Sequence, residues 1–411
     1  MTLPLSSITY MGMKKFAFIA ALLLTSFVAL PVRAADWYRW RGPDLNGISK
    51  ETGWQTQWPA EGPKQLWKAS LGTGFASLTV SQGRAYAMGN ENNTDTLFCF
   101  DANTGAIVWK HSYACDLAAN QHEGGPCATP TVDGDRVYTF SKKGHVFCLD
   151  AASGKVIWST NVVTDLGMER PRWDFACSPL IEGNLMILNA GDAGTAFDKK
   201  TGQVVWKSGK GPGGYSTAVP YTAGGERAVV LFIKEHVAAV NVKDGKELWR
   251  HPWKTDYSVN AADPIMDGDR VFISSGYNRG ATLLKIAGNQ ATAVWENKHM
   301  RNHFNSCVLW QGHLYGVDDK ELRCLVWDTG EVKWGDKQFG KGSLMLADGK
   351  LITLSDKGEL IVAEATPAAF KPVSRAQVLT GKCWTVPVLS NGKIYCRNAK
   401  GDLVCLDVSG K

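Results

Sequence analysis

A handful of short segments gather residue types that could do chemistry: Arg172-Trp173-Asp174, Gly214-Tyr215-Ser216, Asn260-Ala261-Ala262-Asp263, Asn302-His303-Phe304-Asn305, Lys341 and Lys382-Cys383-Trp384. Asp263 or Asp174 could act as a general base. Asn260 and Asn305 offer side-chain oxygens of the kind that ligate Ca²⁺. Trp384 or Trp173 could supply a flat stacking surface, and Arg172, Lys341 and Lys382 could meet the carboxylates of a ligand. His299 and His303 are four apart, a spacing that would pair two metal ligands on a helix. Helix signals and a neighbouring Glu are missing there, and the chain has no Cys-x-x-Cys pattern, so a polar loop without a metal site is expected.

The elements that position these segments are repeats. FCFDANTGAIVW ends at Trp109, FCLDAASGKVIW at Trp158, TAFDKKTGQVVW at Trp206 and AAVNVKDGKELW at Trp249. Like units recurring every forty to fifty residues indicate a stacked or circular array. Within a unit, an apolar alternating run such as Val146-Phe147-Cys148-Leu149 meets Asp150, then Ser153-Gly154, then a second alternating run to Trp158. Asp closes a turn onto its own backbone and Gly takes the positive φ, so Asp101 to Gly105, Asp150 to Gly154 and Asp198 to Gly202 read as hairpin turns.

Upstream runs such as ATPTVDGDRVYTF complete a four-stranded antiparallel meander. Units start near Ser77, Ala128, Ser178, Thr217, Ala262, Cys307, Ser343 and Thr385, which makes eight. The expectation is an all-β fold, an eight-bladed β-propeller. The eighth unit stops at Gly410 without its last strand, which Gln65-Leu66-Trp67 should supply, closing the ring. The seventh unit, around Glu364 to Leu379, has no closing Trp. Trp67, Trp109, Trp158, Trp206, Trp249, Trp295 and Trp334 are read as wedges between blades.

The DxxTGxxxW turn and terminal Trp resemble the tryptophan-docking repeat of pyrroloquinoline-quinone (PQQ) type propellers, and Trp37-Tyr38-Arg39-Trp40-Arg41-Gly42-Pro43 is similar to the opening WxxWRGP of exported PQQ-like repeat proteins. The resemblance covers nearly the whole chain beyond residue 34. It implies one of two roles: a quinoprotein dehydrogenase using PQQ and Ca²⁺ to oxidise alcohols or sugars, or a non-catalytic envelope scaffold of the BamB kind. The first would use Asp263 or Asp174 as base, Trp384 or Trp173 as quinone floor, Arg172, Lys341 and Lys382 for quinone carboxylates, and Asn260 or Asn305 on calcium. Departures from the dehydrogenase pattern are the absence of adjacent cysteines and blades too short for active-site insertions. The expectation is therefore a non-catalytic scaffold without a cofactor or metal, monomeric, binding a protein or peptide. Tyr215, His303, Asn305, Lys341 and Trp384 are the candidates at the mouth of its central funnel. The WYRWRGP segment is expected as a belt packed beneath the ring, with a partner-docking arm as the alternative.

Residues 1–34 read as a cleaved secretory signal: Lys14-Lys15, an apolar run from Phe16 to Leu30, then Val32-Arg33-Ala34. Residues 35–411 are then a single propeller domain, with 35–61 as an N-terminal extension and 62–71 as the closing strand. A periplasmic or secreted protein is expected, with no acceptor cysteine for a lipid anchor near residue 34 and no later run long enough for a spanning helix. Without the signal the chain carries 42 basic and 39 acidic residues, a net of +3, which argues against nucleic-acid binding. Clusters such as Lys142-Lys143 read as solvated turns. Most of the ten cysteines follow the repeat as small core residues; Cys115 and Cys127 leave open a loop-closing disulfide.

Overall fold

The computed structural model describes Met1 and residues 36–119 and 122–410. Contacts divide the chain into residues 1–32 and 33–411; the signal-peptide reading of 1–34 lies outside the described residues, Met1 apart.

The described residues form eight sheets, antiparallel apart from one added parallel strand, and a single 3-10 turn, Asp256–Ser258. Their first strands are Leu78–Ser81, Thr131–Asp133, Leu180–Glu182, Val219–Ala223, Ile265–Asp267, Val308–Trp310, Ser343–Ala347 and Val388–Ser390. These first strands contact one another around a common axis, so the sheets are the blades of an eight-bladed propeller. Ring closure is as the repeat implied. Gln65–Ser70 pairs antiparallel with Asp402–Asp407, completing the eighth blade with Trp67 opposite Cys405. Blade seven has five strands rather than four, because Ile48–Ser49 adds in parallel to Ser343–Ala347.

Turn chemistry explains the hairpins. Asp101 Oδ1 accepts from the backbone N–H of Asn103 and Thr104 and from the Thr104 hydroxyl. The tryptophans dock across blades: the indole N–H of Trp67, Trp109, Trp158, Trp206, Trp295 and Trp334 donates to a carbonyl in the next blade's turn at 2.8–3.2 Å. Gly154 shows why that turn needs glycine, since its φ is 72° and a Cβ would lie 2.5 Å from the Trp109 ring. Trp249 departs from the pattern and donates to the Tyr221 hydroxyl of its own blade. The following blade turns tightly at Ala287–Gln290 and lacks the longer Asp-initiated turn. Where blade seven lacks a Trp, the N-terminal extension supplies one: Trp58 N–H donates to Arg375 O, and Ser374 Oγ donates to Thr56 O.

Cys99, Cys148, Cys324 and Cys405 each lie opposite a docking Trp on the neighbouring strand, where a small side chain leaves room for the indole. All ten cysteines are free thiols, Cys115 and Cys127 included, so no disulfide closes that loop in this structure. The Lys142-Lys143 turn corrects the solvated reading. Lys142 is buried, donates to Leu117 O at 2.9 Å and lies 3.9 Å from the buried Asp95.

Candidate functional site

The first strands surround the axis and are joined by a belt of hydrogen bonds. Backbone N–H groups of Ser77, Thr129, Ser178, Thr217 and Asp263 donate in turn to the side-chain oxygens of Thr129, Ser178, Thr217, Asp263 and Ser306, at 2.7–3.0 Å. Each of the first five blades thus grips the next through one short polar side chain. At the fifth blade that side chain is a carboxylate, which has a second oxygen to offer.

The N-terminal segment takes it. Trp37, 2% exposed, bridges Val80, and Tyr38 O accepts from Val132 N. Further along, Gly47 O accepts from Leu346 N, and Glu51 accepts from the backbone N–H of Asn391 and Gly392. These contacts lie toward the far ends of the first strands, so the segment is a strap across that face, and the belt expectation for Trp37 to Pro43 describes it. From the strap, Trp40 reaches inward and donates its indole N–H to Asp263 Oδ2 at 2.5 Å. Arg41 lies beside it, 4% exposed, with Nη2 donating to Cys307 O at 2.7 Å and Nε 3.8 Å from Asp263 Oδ2. Burial pushes the Asp263 carboxyl up from its ordinary value, an effect that Arg41 and Trp40 oppose.

Above Trp40 opens a cavity of about 360 Å³. Its wall is mainly aromatic. Phe75 stacks on Trp384 with centroids 5.6 Å apart, Phe304 meets the same indole at 4.6 Å, and Tyr277 meets His303 edge-on at 4.8 Å. Trp173, Tyr215 and Asn305 also line it. Segments entering the first strands converge here, as the order of strands in each blade requires.

Cations stand around the mouth. Lys382 Nζ lies 4.3 Å from the Trp384 ring centre and pairs with Glu123 at 2.6 Å. Lys341 Nζ pairs with Asp319 at 3.0 Å and donates to His303 Nδ1 at 3.0 Å. Burial, and then Lys341, holds the His303 imidazole down at about 4, so it is neutral at pH 7. Arg172 is exposed and lies over both Trp173 and Tyr257, 5.7 and 5.4 Å from the ring centres.

The structure therefore gathers Trp384, Trp173, Tyr215, His303 and Asn305 around one cavity, with Arg172, Lys341 and Lys382 at its edge. It places the two candidate bases elsewhere. Asp263 lies beneath the cavity wall and is engaged by Trp40, Arg41 and Thr217. Asp174, at φ 62°, is tied to Arg170 at 2.6 Å and Lys143 at 3.0 Å. Asn260 is buried, with its amide nitrogen donating to Ile233 O and its oxygen accepting from Ser275 Oγ. Ca²⁺ takes six to eight oxygens; here Asn305 donates its amide nitrogen to Gly342 O, and the carboxylates nearest the mouth, Glu123 and Asp319, are paired with Lys382 and Lys341. Among the described residues no group of three or more His, Cys, Asp or Glu could hold a metal. His299 turns away from His303, its Nδ1 against Gly330 O.

Trp40, His122 and Tyr277 line the cavity without having been singled out from the sequence. Tyr277 comes from the hairpin between the second and third strands of blade five, which opens on the same face; the Trp-rich opening segment was the only signal for Trp40.

A family model described as "Outer membrane protein assembly factor BamB" (PQQ_2) matches residues 93–336. No curated protein matches the chain at a significant level. Among solved structures, BamB from Moraxella catarrhalis superposes with a TM-score of 0.61 at 13% identity, covering 84% of this chain and 97% of that one. The quinohemoprotein alcohol dehydrogenase from Comamonas testosteroni gives 0.66 at 12% identity over 93% and 82%, respectively. A europium-containing methanol dehydrogenase gives 0.56 at 10% over 88% and 89%. At these identities the superpositions show a shared propeller fold. With more than half of its length matched by the family model, and with tryptophans docked between all but one of the neighbouring blades that carry them, the chain belongs to the PQQ-like repeat family whose model bears the BamB description.

Proposed function

We propose that this chain is an exported, non-catalytic propeller of the cell envelope that holds a protein or peptide partner, with the aromatic funnel as its contact site. The observation that carries this reading is the closed bowl itself: Trp40 and the strap seal its far end, and the carboxylates beneath and beside it are each engaged by a cation or a donor. A base that must take a proton from substrate needs a free oxygen within hydrogen-bond reach of it. Supporting the envelope location are the signal-like residues 1–34 and the family description as an outer-membrane assembly factor. Among the described residues no helix is long and apolar enough to cross a membrane. The working unit is a monomer.

Photo-crosslinking tests the reading. A benzophenone side chain placed at Lys382, at the mouth, should give a discrete protein adduct in the cell envelope, and the same probe at Val205, on the outer wall, should not. Titration calorimetry with PQQ, with and without Ca²⁺, and dye-linked oxidation of alcohols and sugars form the counter-test. Turnover there would make the chain a quinoprotein and overturn the proposal.

A further inference from the structure

We propose that the partner enters as an acidic segment, inserting one aromatic side chain into the bowl while its carboxylates rest on Arg172. This depends on the funnel being the contact site.

Size sets the first limit. An apolar cavity of about 150 Å³ holds benzene, so about 360 Å³ takes one aromatic side chain with its adjoining backbone and nothing larger that is folded. The walls set the second. Trp384, Phe75 and Phe304 already stack on one another, leaving ring faces and edges on which a further ring gains beyond simple burial.

Charge decides the sign of the ligand. A bowl of rings could hold a cation, but no carboxylate lines this cavity, and three cations lean on its rings: Lys382 over Trp384, Lys341 against His303 and Arg172 over Trp173. The two lysines have acidic partners. Arg172 has no ion-pair partner among the described residues, and the two rings beneath it fix its position, so its planar fork is held ready for a carboxylate. Hydrogen bonding points the same way. Because Lys341 donates to His303 Nδ1, the neutral imidazole carries its hydrogen on Nε2, and the buried Trp173 indole N–H has no partner among the described residues. The His303 Nε2 hydrogen is a donor suited to a backbone carbonyl.

Arg172 lies outside the cavity lining, so an anion on it cannot belong to a molecule wholly inside the bowl. The ligand overruns the mouth, as a peptide does.

The probe is a labelled pentapeptide, Gly-Asp-Phe-Asp-Gly, capped at both ends and titrated by fluorescence anisotropy. Replacing its Phe with Ala should weaken binding about tenfold or more. Replacing both Asp with Asn should weaken it about fivefold, with Lys in their place abolishing saturation, and raising salt should weaken only the acidic peptide. Arg172→Glu in the protein should cost about tenfold with unchanged thermal stability, since the side chain is exposed, and Arg172→Lys should cost less. Equal binding of the Ala peptide, tighter binding of the Lys peptide, or no effect of Arg172→Glu would overturn the proposal. If no peptide binds while the Lys382 crosslink still forms, the acidic-aromatic rule falls and the funnel reading stands; if neither appears, both fall.

Discussion

The indole of Trp40 donates to the carboxylate of Asp263 across 223 residues of sequence, at 2.5 Å. This contact joins the strap to the polar belt around the axis, so Asp263 ties two parts of the fold together. Asp263→Asn removes the charge facing the buried Arg41, and breaking such a pair from one side costs about 3 kcal/mol. We expect a matching fall in unfolding free energy by urea denaturation. Arg41→Met with Asp263→Asn should cost less than the sum of the single changes, because the pair fails together.

The wedge between blades one and two is testable through its glycine. Gly154→Ala puts a methyl group 2.5 Å from Trp109 in a backbone conformation at φ 72°. Gly183→Ala, at φ 58° with open space around it, shares the backbone strain alone. Gly154→Ala should therefore destabilise by about 2 kcal/mol more than Gly183→Ala, read from thermal melts. Equal effects would mean the indole moves aside freely.

Acid should weaken the fold. Burial holds His303 at about 4 and lowers His111, His122, His145 and His236. Below about 6.5 the unfolded imidazoles bind protons that the folded ones refuse, so stability present at pH 7 is lost as pH falls toward 4. Asp101 and Asp198, lowered by their turn hydrogen bonds, add to this in the acid range, whereas Asp263 and Glu51, raised by burial, oppose it. The net expectation is a melting temperature that declines from pH 7 to pH 4.5. His303→Gln should flatten that slope, its share being about 3 kcal/mol at most.

Thiol titration addresses Cys115 and Cys127. With ten free cysteines, the denatured protein should release ten equivalents with a disulfide reagent. The native protein should react slowly and at Cys127 first, since this thiol alone is not fully buried and lines the bowl, although burial pushes it up to about 11. Eight equivalents after denaturation would mean that the pair is oxidised.

Most of the fold was legible because it is written locally. Alternating runs, the Asp-to-Gly turns and the periodic Trp each encode a strand, a reversal or a wedge, and their number sets the number of blades. Trp384, Trp173, Tyr215, His303 and Asn305 were legible for the same reason: each lies in the short segment leading into a first strand, and such segments converge on the funnel. What was not legible depends on which neighbour a side chain meets. Nothing in the sequence places Trp40 and Arg41 against Asp263, and Lys142 looks solvated until Leu117 and Asp95 close over it. Tyr277 carries no mark at all, since a hairpin tyrosine is ordinary until the hairpin opens onto a cavity.

Because Gln65–Ser70 pairs with Asp402–Asp407, the last blade joins two stretches that lie more than three hundred residues apart along the chain. The other blades can form their four-stranded meanders from neighbouring sequence, whereas the eighth must bring distant segments together, a long loop closure that is slow and entropically costly. Deleting Asp402–Asp407 would leave the Gln65–Ser70 strand unpaired and the ring an open arc, so closure is a single non-local step on which every local blade depends.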